Sequence, residues 1–229
     1  MRGSKLFLAL AICLSVILSS GCAVEQSRNL VNVSQSTLPL ASREYVSFGD
    51  QDFVIVYGIE KTVNYLIPAS FSEANKSLTP IERAINLLNS EYDDGTFRVL
   101  GNRFTKIEGY SLDKQGVLTL GMGGSFQNWI NRNLIDERNF VQATVLTFTS
   151  FRDIVSVQLT ANGVPISGMI SSQSLSKPIS RSQVINTSSP SSPSAVLYLR
   201  LKGSKLLVPI TRSVDKREVA SVINELVRF

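Results

Sequence analysis

Residues 79–88 read Thr79-Pro80-Ile81-Glu82-Arg83-Ala84-Ile85-Asn86-Leu87-Leu88. Thr before the first turn, Pro at its first position and Glu three residues after the Thr let two orphan amide donors be satisfied reciprocally, so a helix starts here. Ile81, Ala84, Ile85 and Leu88 then recur at i, i+3, i+4 and i+7 and give it one apolar face, which Asn89-Ser90 and Asp93-Asp94-Gly95 close. A one-faced helix must lie on something apolar.

Working outward, Phe53 to Ile59 and Val63 to Phe71 are β-rich runs separated by Glu60-Lys61-Thr62, a hairpin. On the other side, Arg103 to Leu112 and Val117 to Met122 form a second hairpin through Asp113-Lys114-Gln115-Gly116, whose Gly supplies positive φ. A second helix is expected over Asp136 to Phe151, with Val141, Val145 and Phe148 on one face and Asp136 and Glu137 favourable in its first turn. Ile154 to Leu159 then reads as a strand ending in the turn pair Asn162-Gly163. This order of elements predicts an α+β fold, a small mixed β-sheet with two helices on one face.

The flanks differ. Residues 1–21 carry Arg2 and Lys5, a thirteen-residue apolar run from Leu6 to Leu18 and the small residues Ser19, Ser20 and Gly21, an export signal too short to span a bilayer, which takes about 20 residues. Leu-Ser-Ser-Gly-Cys resembles a lipobox, with Ser19 where an aliphatic residue is usual, and implies lipid attachment to Cys22. Residues 22–48 are polar and read as a tether to a domain over 49–170. Eleven serines among residues 171–194, with Pro178, Pro190 and Pro193, predict a flexible linker.

Beyond it, residues 195–229 align without gaps to the start of the first domain at a shift of 141: Val56-Tyr57 on Leu197-Tyr198, Lys61 on Lys202, and Leu66-Ile67-Pro68 on Leu207-Val208-Pro209. A helix around Lys216 to Val227, with Val219, Val222, Ile223 and Leu226 as its apolar stripe, completes a partial second β-β-α copy. Such a unit has exposed sheet edges and is expected to dock on the first domain or on a partner.

The chain holds no histidine, which removes Ser-His-Asp, Cys-His and His-ligated zinc chemistry. Cys13 leaves with the signal and Cys22 is acylated in this reading, so no disulfide is expected and stability rests on a hydrophobic core. With 43% apolar and 18% charged residues the composition supports such a core. Losing Arg2 and Lys5 takes the formal charge from +5 to +3, and no basic stripe with interleaved aromatics points to nucleic acid.

Asp93-Asp94-Gly95 supplies too few ligands for a calcium loop and reads as a solvated turn. Glu91, Asp94 and Asp136 are the formal candidates for glycosidase-type chemistry, with nothing in the sequence to pair them. Gly121-Met122-Gly123-Gly124-Ser125 lacks the lysine of a phosphate loop. Phe126 and Trp129 stand as a candidate interaction pair, able to anchor a partner or a sugar ring if exposed and to cap the sheet if not.

The segment from about Phe53 to Ile166 resembles the GerMN domain of spore-germination and sporulation lipoproteins. The resemblance is carried by Leu66-Ile67-Pro68 and the helix after it, by the hairpin from Ile107 to Leu120 with Asp113 and Gly116 in its turn, and by the helix Phe140 to Phe148 leading through Ile154-Val155-Ser156-Val157 to Asn162-Gly163-Val164-Pro165-Ile166. It implies a domain related to ring-building modules of secretion and sporulation channels, which act by association at a membrane, with no catalytic residue and no cofactor to carry over. The expectation is a lipid-anchored extracytoplasmic protein whose partners are other envelope proteins or itself, with no small-molecule substrate. The alternative is a glycan-binding protein or carboxylate-dependent hydrolase of the cell wall.

Overall fold

In the computed structural model, residues 28–29, 39–40, 53–72, 77–101, 105–130, 135–170, 173–182, 184–187, 192–202, 206–216 and 219–227 are described. Helix α1, Pro80–Leu88, begins as its sequence requires. Glu82 N–H donates to Thr79 Oγ1 at 3.2 Å, and Thr79 N–H donates to Glu82 Oε2 at 2.7 Å. Ala84, Ile85, Leu87 and Leu88 are buried on its apolar face. At its C-terminal end the Asn89 side-chain amide both accepts from Ile107 N–H and donates to Ile107 O, each at 2.8 Å, as a peptide group of a neighbouring strand would.

The helix lies on a four-stranded sheet of order β2 (Pro39–Leu40), β4 (Tyr65–Ser72), β3 (Phe53–Glu60), β5 (Phe97–Arg98). β3 and β4 pair antiparallel along their whole length, with Tyr57 opposite Pro68. Proline has no N–H to give the ladder, so this is a position where both residues turn their nitrogens away from the partner strand. Tyr57 N–H instead donates at 2.9 Å to Thr147 Oγ1 of helix α3, Ile135–Phe148, which lies along that edge. Gly58 is required next door, because a Cβ there would fall 2.4 Å from Arg98 O and from the Phe97 ring.

A second sheet has the order β1 (Arg28–Asn29), β6 (Ile107–Leu112), β7 (Val117–Met122), β8 (Ser156–Ala161), β12 (Ile179–Ser180), with β9 (Val164–Pro165) also on β8. The β6–β7 turn holds Gly116 at φ +81°, and Asp113 Oδ1 accepts from Gln115 N–H and Val117 N–H. β7 and β8 run parallel, which demands a crossover. The crossover is the short helix α2, Phe126–Trp129, followed by α3.

The α+β class is as the sequence implies, but the strands of residues 53–166 divide between two sheets instead of forming one. α3 is the reason, since it packs on β3 and on β8 and is therefore buried almost all round, Glu137, Asn139, Thr144 and Thr147 included.

The expected flexible linker is a correction. After the hairpin of β10 (Met169–Ile170) and β11 (Gln173–Ser174), Leu175, Ile179 and Ile185 are buried in the core, and β12 pairs with β8. Arg181 donates to Leu146 O and to Tyr57 Oη, both at 3.0 Å, and its guanidinium lies 5.6 Å from the Tyr57 ring centre. The average over a serine-rich stretch hides the few apolar residues that order it. In the expected tether, β1 and β2 pair with β6 and β4.

The sequence offset of 141 reappears in the backbone pairing. β13 (Ser194–Arg200) and β14 (Leu207–Ser213) form a hairpin in which Ser194 faces Ser213 and Tyr198 faces Pro209, 141 positions beyond Phe53 facing Ser72 and Tyr57 facing Pro68. This hairpin docks on the first domain. Asn186, at φ 55°, accepts from Leu66 N–H and donates to Leu66 O, both at 2.7 Å, and donates to Pro209 O at 2.8 Å. Thr211 and Ile185 exchange two further bonds, Thr211 N–H to Ile185 O and Ile185 N–H to Thr211 Oγ1. Helix α4, Val219–Val227, ends the described chain and rests on β13.

Candidate functional site

The chemistry-bearing residues read from the sequence do not gather into a reaction centre. Asp93 and Asp94 are spent on their own turn. Asp93 Oδ1 accepts from Gly95 N–H, Asp94 Oδ1 accepts from Thr96 N–H and Phe97 N–H, and Lys61 Nζ sits 2.9 Å from both Asp93 oxygens. The Gly95 bond and then the Lys61 ammonium hold the Asp93 carboxyl below its usual range. Beside them, burial and the Asp94 carboxylate push the Tyr92 hydroxyl up to about 12. No group of three or more His, Cys, Asp or Glu able to hold a metal ion occurs among the described residues. Glu91 and Asp94 are exposed, Asp136 is half-buried, and none of the three lines the large cavity beside α3.

Of the two readings of the aromatic pair, burial favours the cap for Phe126. Phe126 is fully buried and stacks on Trp129 with ring centres 5.4 Å apart, and both meet Phe140 edge-on at 5.6 and 5.9 Å. The pair therefore closes the end of the core against α3, which the sequence conceals because Phe140 lies on the next helix. Phe126 offers no exposed ring, whereas Trp129 remains half-buried. Cys22 and the export signal lie outside the described residues. Among the described residues no helix is long and apolar enough to cross a membrane.

An apolar surface does stand open at the C-terminal unit. α4 has no buried residue. Val219, Ile223 and Val227, at i, i+4 and i+8, are 76%, 51% and 79% exposed, with Leu226 beside them at 40%. Ser221, Val222 and Glu225 are the half-buried positions, on a different face. The expected single stripe of Val219, Val222, Ile223 and Leu226 is thus split. Only part of it faces inward, and Val227 extends the outward part. The apolar side of α4 is thus mainly its open one.

In the first copy a second cover is visible, since α1 packs against β3 on one side and against α3 on another. The described part of the second copy has the hairpin and the helix without that cover.

The family called Germane, described as sporulation and spore germination, matches residues 46–167, more than half of the chain. The chain belongs to this family. One solved structure shares the fold. The tandem GerMN domains of the sporulation protein GerM from Bacillus subtilis superpose with a TM-score of 0.54 at 21% identity, over 77% of this chain and 65% of that one. This chain thus covers just under two thirds of the length of that tandem structure. The first GerMN domain of the same protein matches with a TM-score of 0.39 at 24% identity, over 48% of this chain and 83% of that one. A putative lipoprotein from Clostridium perfringens gives 0.36 at 11% identity, over 56% and 86%. No curated protein matches.

Proposed function

We propose that this Germane-family protein is an extracytoplasmic lipoprotein, held at the membrane through Cys22, that works by assembling with other envelope proteins and not by catalysis. The observation that carries the reading is the outward stripe of α4, Val219, Ile223, Leu226 and Val227, on a unit otherwise docked firmly to the first domain. Burying apolar surface of that kind stabilises an interface by about 25 cal/mol per Å² before the costs of association. A sporulation setting follows from the family, and the absence of histidine and the dispersal of Glu91, Asp94 and Asp136 favour association over turnover.

Two experiments test it. A photocrosslinking residue at Ile223, installed in cells, is expected to give one dominant protein adduct or a ladder of the protein with itself, and the same residue at exposed Lys114 is expected to give neither. A monomeric, adduct-free protein contradicts the assembly reading. Globomycin is expected to leave an unprocessed precursor, and so is Cys22→Ser; maturation indifferent to both contradicts the anchor.

A further inference from the structure

Five residues, 23–27, separate Cys22 from Arg28 of β1, so six residue steps lead from the anchor position to a strand of the second sheet. Fully extended, six steps span at most about 22 Å. A domain tethered this closely cannot stand far from the bilayer, and the way β1 enters the sheet orients it. β1 runs antiparallel to β6, with Arg28 opposite Tyr110 and Asn29 opposite Gly109. Its N-terminal end therefore points towards Leu112 and the Asp113–Gly116 turn, which begins about 10 Å beyond Tyr110 at the rise of a strand.

That end of the sheet carries an apolar tip. Parallel pairing of β7 with β8 brings Val155, one residue before β8, beside the same turn, where its N–H donates to Gly116 O at 2.8 Å. Val155 is 62% exposed and Leu112 38%. Lys114 of the turn and Arg152 of the connection into β8 are exposed as well. Of the two carboxylates here, Asp113 is committed to the amides of Gln115 and Val117, and Asp153 is exposed. The opposite end of the sheet also exposes an apolar residue, Val164 at 64%, but β1 points away from it. Exposure alone does not choose between the two ends, and the direction of the tether does.

We propose that the end of the first domain built from the Asp113–Gly116 turn and the Arg152–Val155 connection rests on the lipid bilayer. Leu112 and Val155 then lie in the interfacial layer, and Lys114 and Arg152 lie among the phosphates of the headgroups. This placement rests on the lipid anchor proposed at Cys22 and is independent of the assembly reading of α4. Apolar side chains gain by leaving water for the interfacial layer, and lysine and arginine are attracted to an anionic leaflet. Two apolar side chains hold a free protein only weakly. A short tether keeps the surface within constant reach, so weak contacts suffice to set the orientation.

The test uses the mature, lipidated full chain reconstituted into vesicles of phosphatidylethanolamine and phosphatidylglycerol, with and without a lipid spin-labelled near its headgroup. With Cys13 removed and Cys22 acylated, a cysteine introduced at one surface position is the only free thiol for a fluorophore. Flotation with the vesicles checks the anchor first, and protein that stays in solution sinks the anchor and the placement together. In protein that floats, the label on the Val155→Cys variant is expected to be quenched by the spin-labelled lipid at least threefold more strongly than the label on Val164→Cys or Ile223→Cys. Adding Lys114→Glu and Arg152→Glu to the Val155→Cys variant is expected to at least halve that quenching. Equal quenching at residues 155 and 164, stronger quenching at 164 or 223, or quenching indifferent to the two charge reversals overturns the placement and leaves the anchor standing.

Discussion

Tyr57 and Tyr198 occupy the same place in two hairpins of the same register, each opposite a proline, yet Tyr57 is 3% exposed and Tyr198 51%. The difference lies in what arrives from elsewhere in the chain. Thr147 takes the Tyr57 backbone N–H, and Arg181 donates to its hydroxyl and lies over its ring. Gly58, which admits β5 against the sheet, is replaced 141 positions on by Leu199, so a β5-like strand has no room to approach the second hairpin in the same way. Likewise Ile85 of α1 is fully buried, and Leu226, its equivalent in α4, is 40% exposed. One pattern of apolar residues thus makes a finished core in one setting and an open surface in the other, and the second setting is where a partner is to be sought.

The largest effect that breaks this comparison is truncation of the paired helix positions. Ile85→Ala is expected to cost about 2–5 kcal/mol, as loss of a fully buried side chain does, while Leu226→Ala costs under about 1 kcal/mol because its surroundings are open. Urea unfolding of the two variants measures both, and equal losses would mean that α4 is as covered as α1. Next comes the strand edge. Gly58→Ala drives a methyl group into Arg98 O and the Phe97 ring and is expected to cost about 1–3 kcal/mol or more, whereas Leu199→Ala only trims a half-buried side chain. Thr147→Val keeps the shape and removes the oxygen that receives Tyr57 N–H, and a buried donor left unmet costs about 1–3 kcal/mol. No such penalty attaches to the second hairpin, which lacks a helix in that place among the described residues.

The smallest effect concerns the turn beside β5. The Tyr92 hydroxyl, raised from 10.0 to about 12, is held neutral by the fold where the unfolded chain ionises. Its effect is absent below pH 10, and stability falls as pH climbs from 10 towards 12. Tyr92→Phe is expected to make that alkaline loss shallower in a series of melts, and an unchanged slope would rule out this residue as a contributor.

What the sequence made legible was local. The Thr79–Glu82 capping box, the Asp113–Gly116 turn and the Asn162-Gly163 pair each carry their own geometry within four residues, and each stands where it was read. The two-sheet arrangement was hidden because the edge of β3 is satisfied by Thr147, ninety residues further on. The ordering of 173–187 was hidden for a related reason. Leu175, Ile179 and Ile185 are isolated among serines, and Asn186 acts as a surrogate peptide group between two strands, a role no spacing announces. At the candidate surface the apolar residues of α4 were plain, but which of them face outward depends on how the helix rests on β13. Phe126 and Trp129 were visible as a pair, and only the position of Phe140 decides that Phe126 is buried and Trp129 half-buried against it.

Amide hydrogen exchange of α4, compared between the purified protein and the protein in native membranes, tests the central claim most directly. If the second unit is open until a partner covers it, the amides of Val219–Val227 exchange fast in isolation and at least tenfold slower in the membrane, while those of α1 are slow in both. Equal exchange of α4 in the two settings would contradict the account.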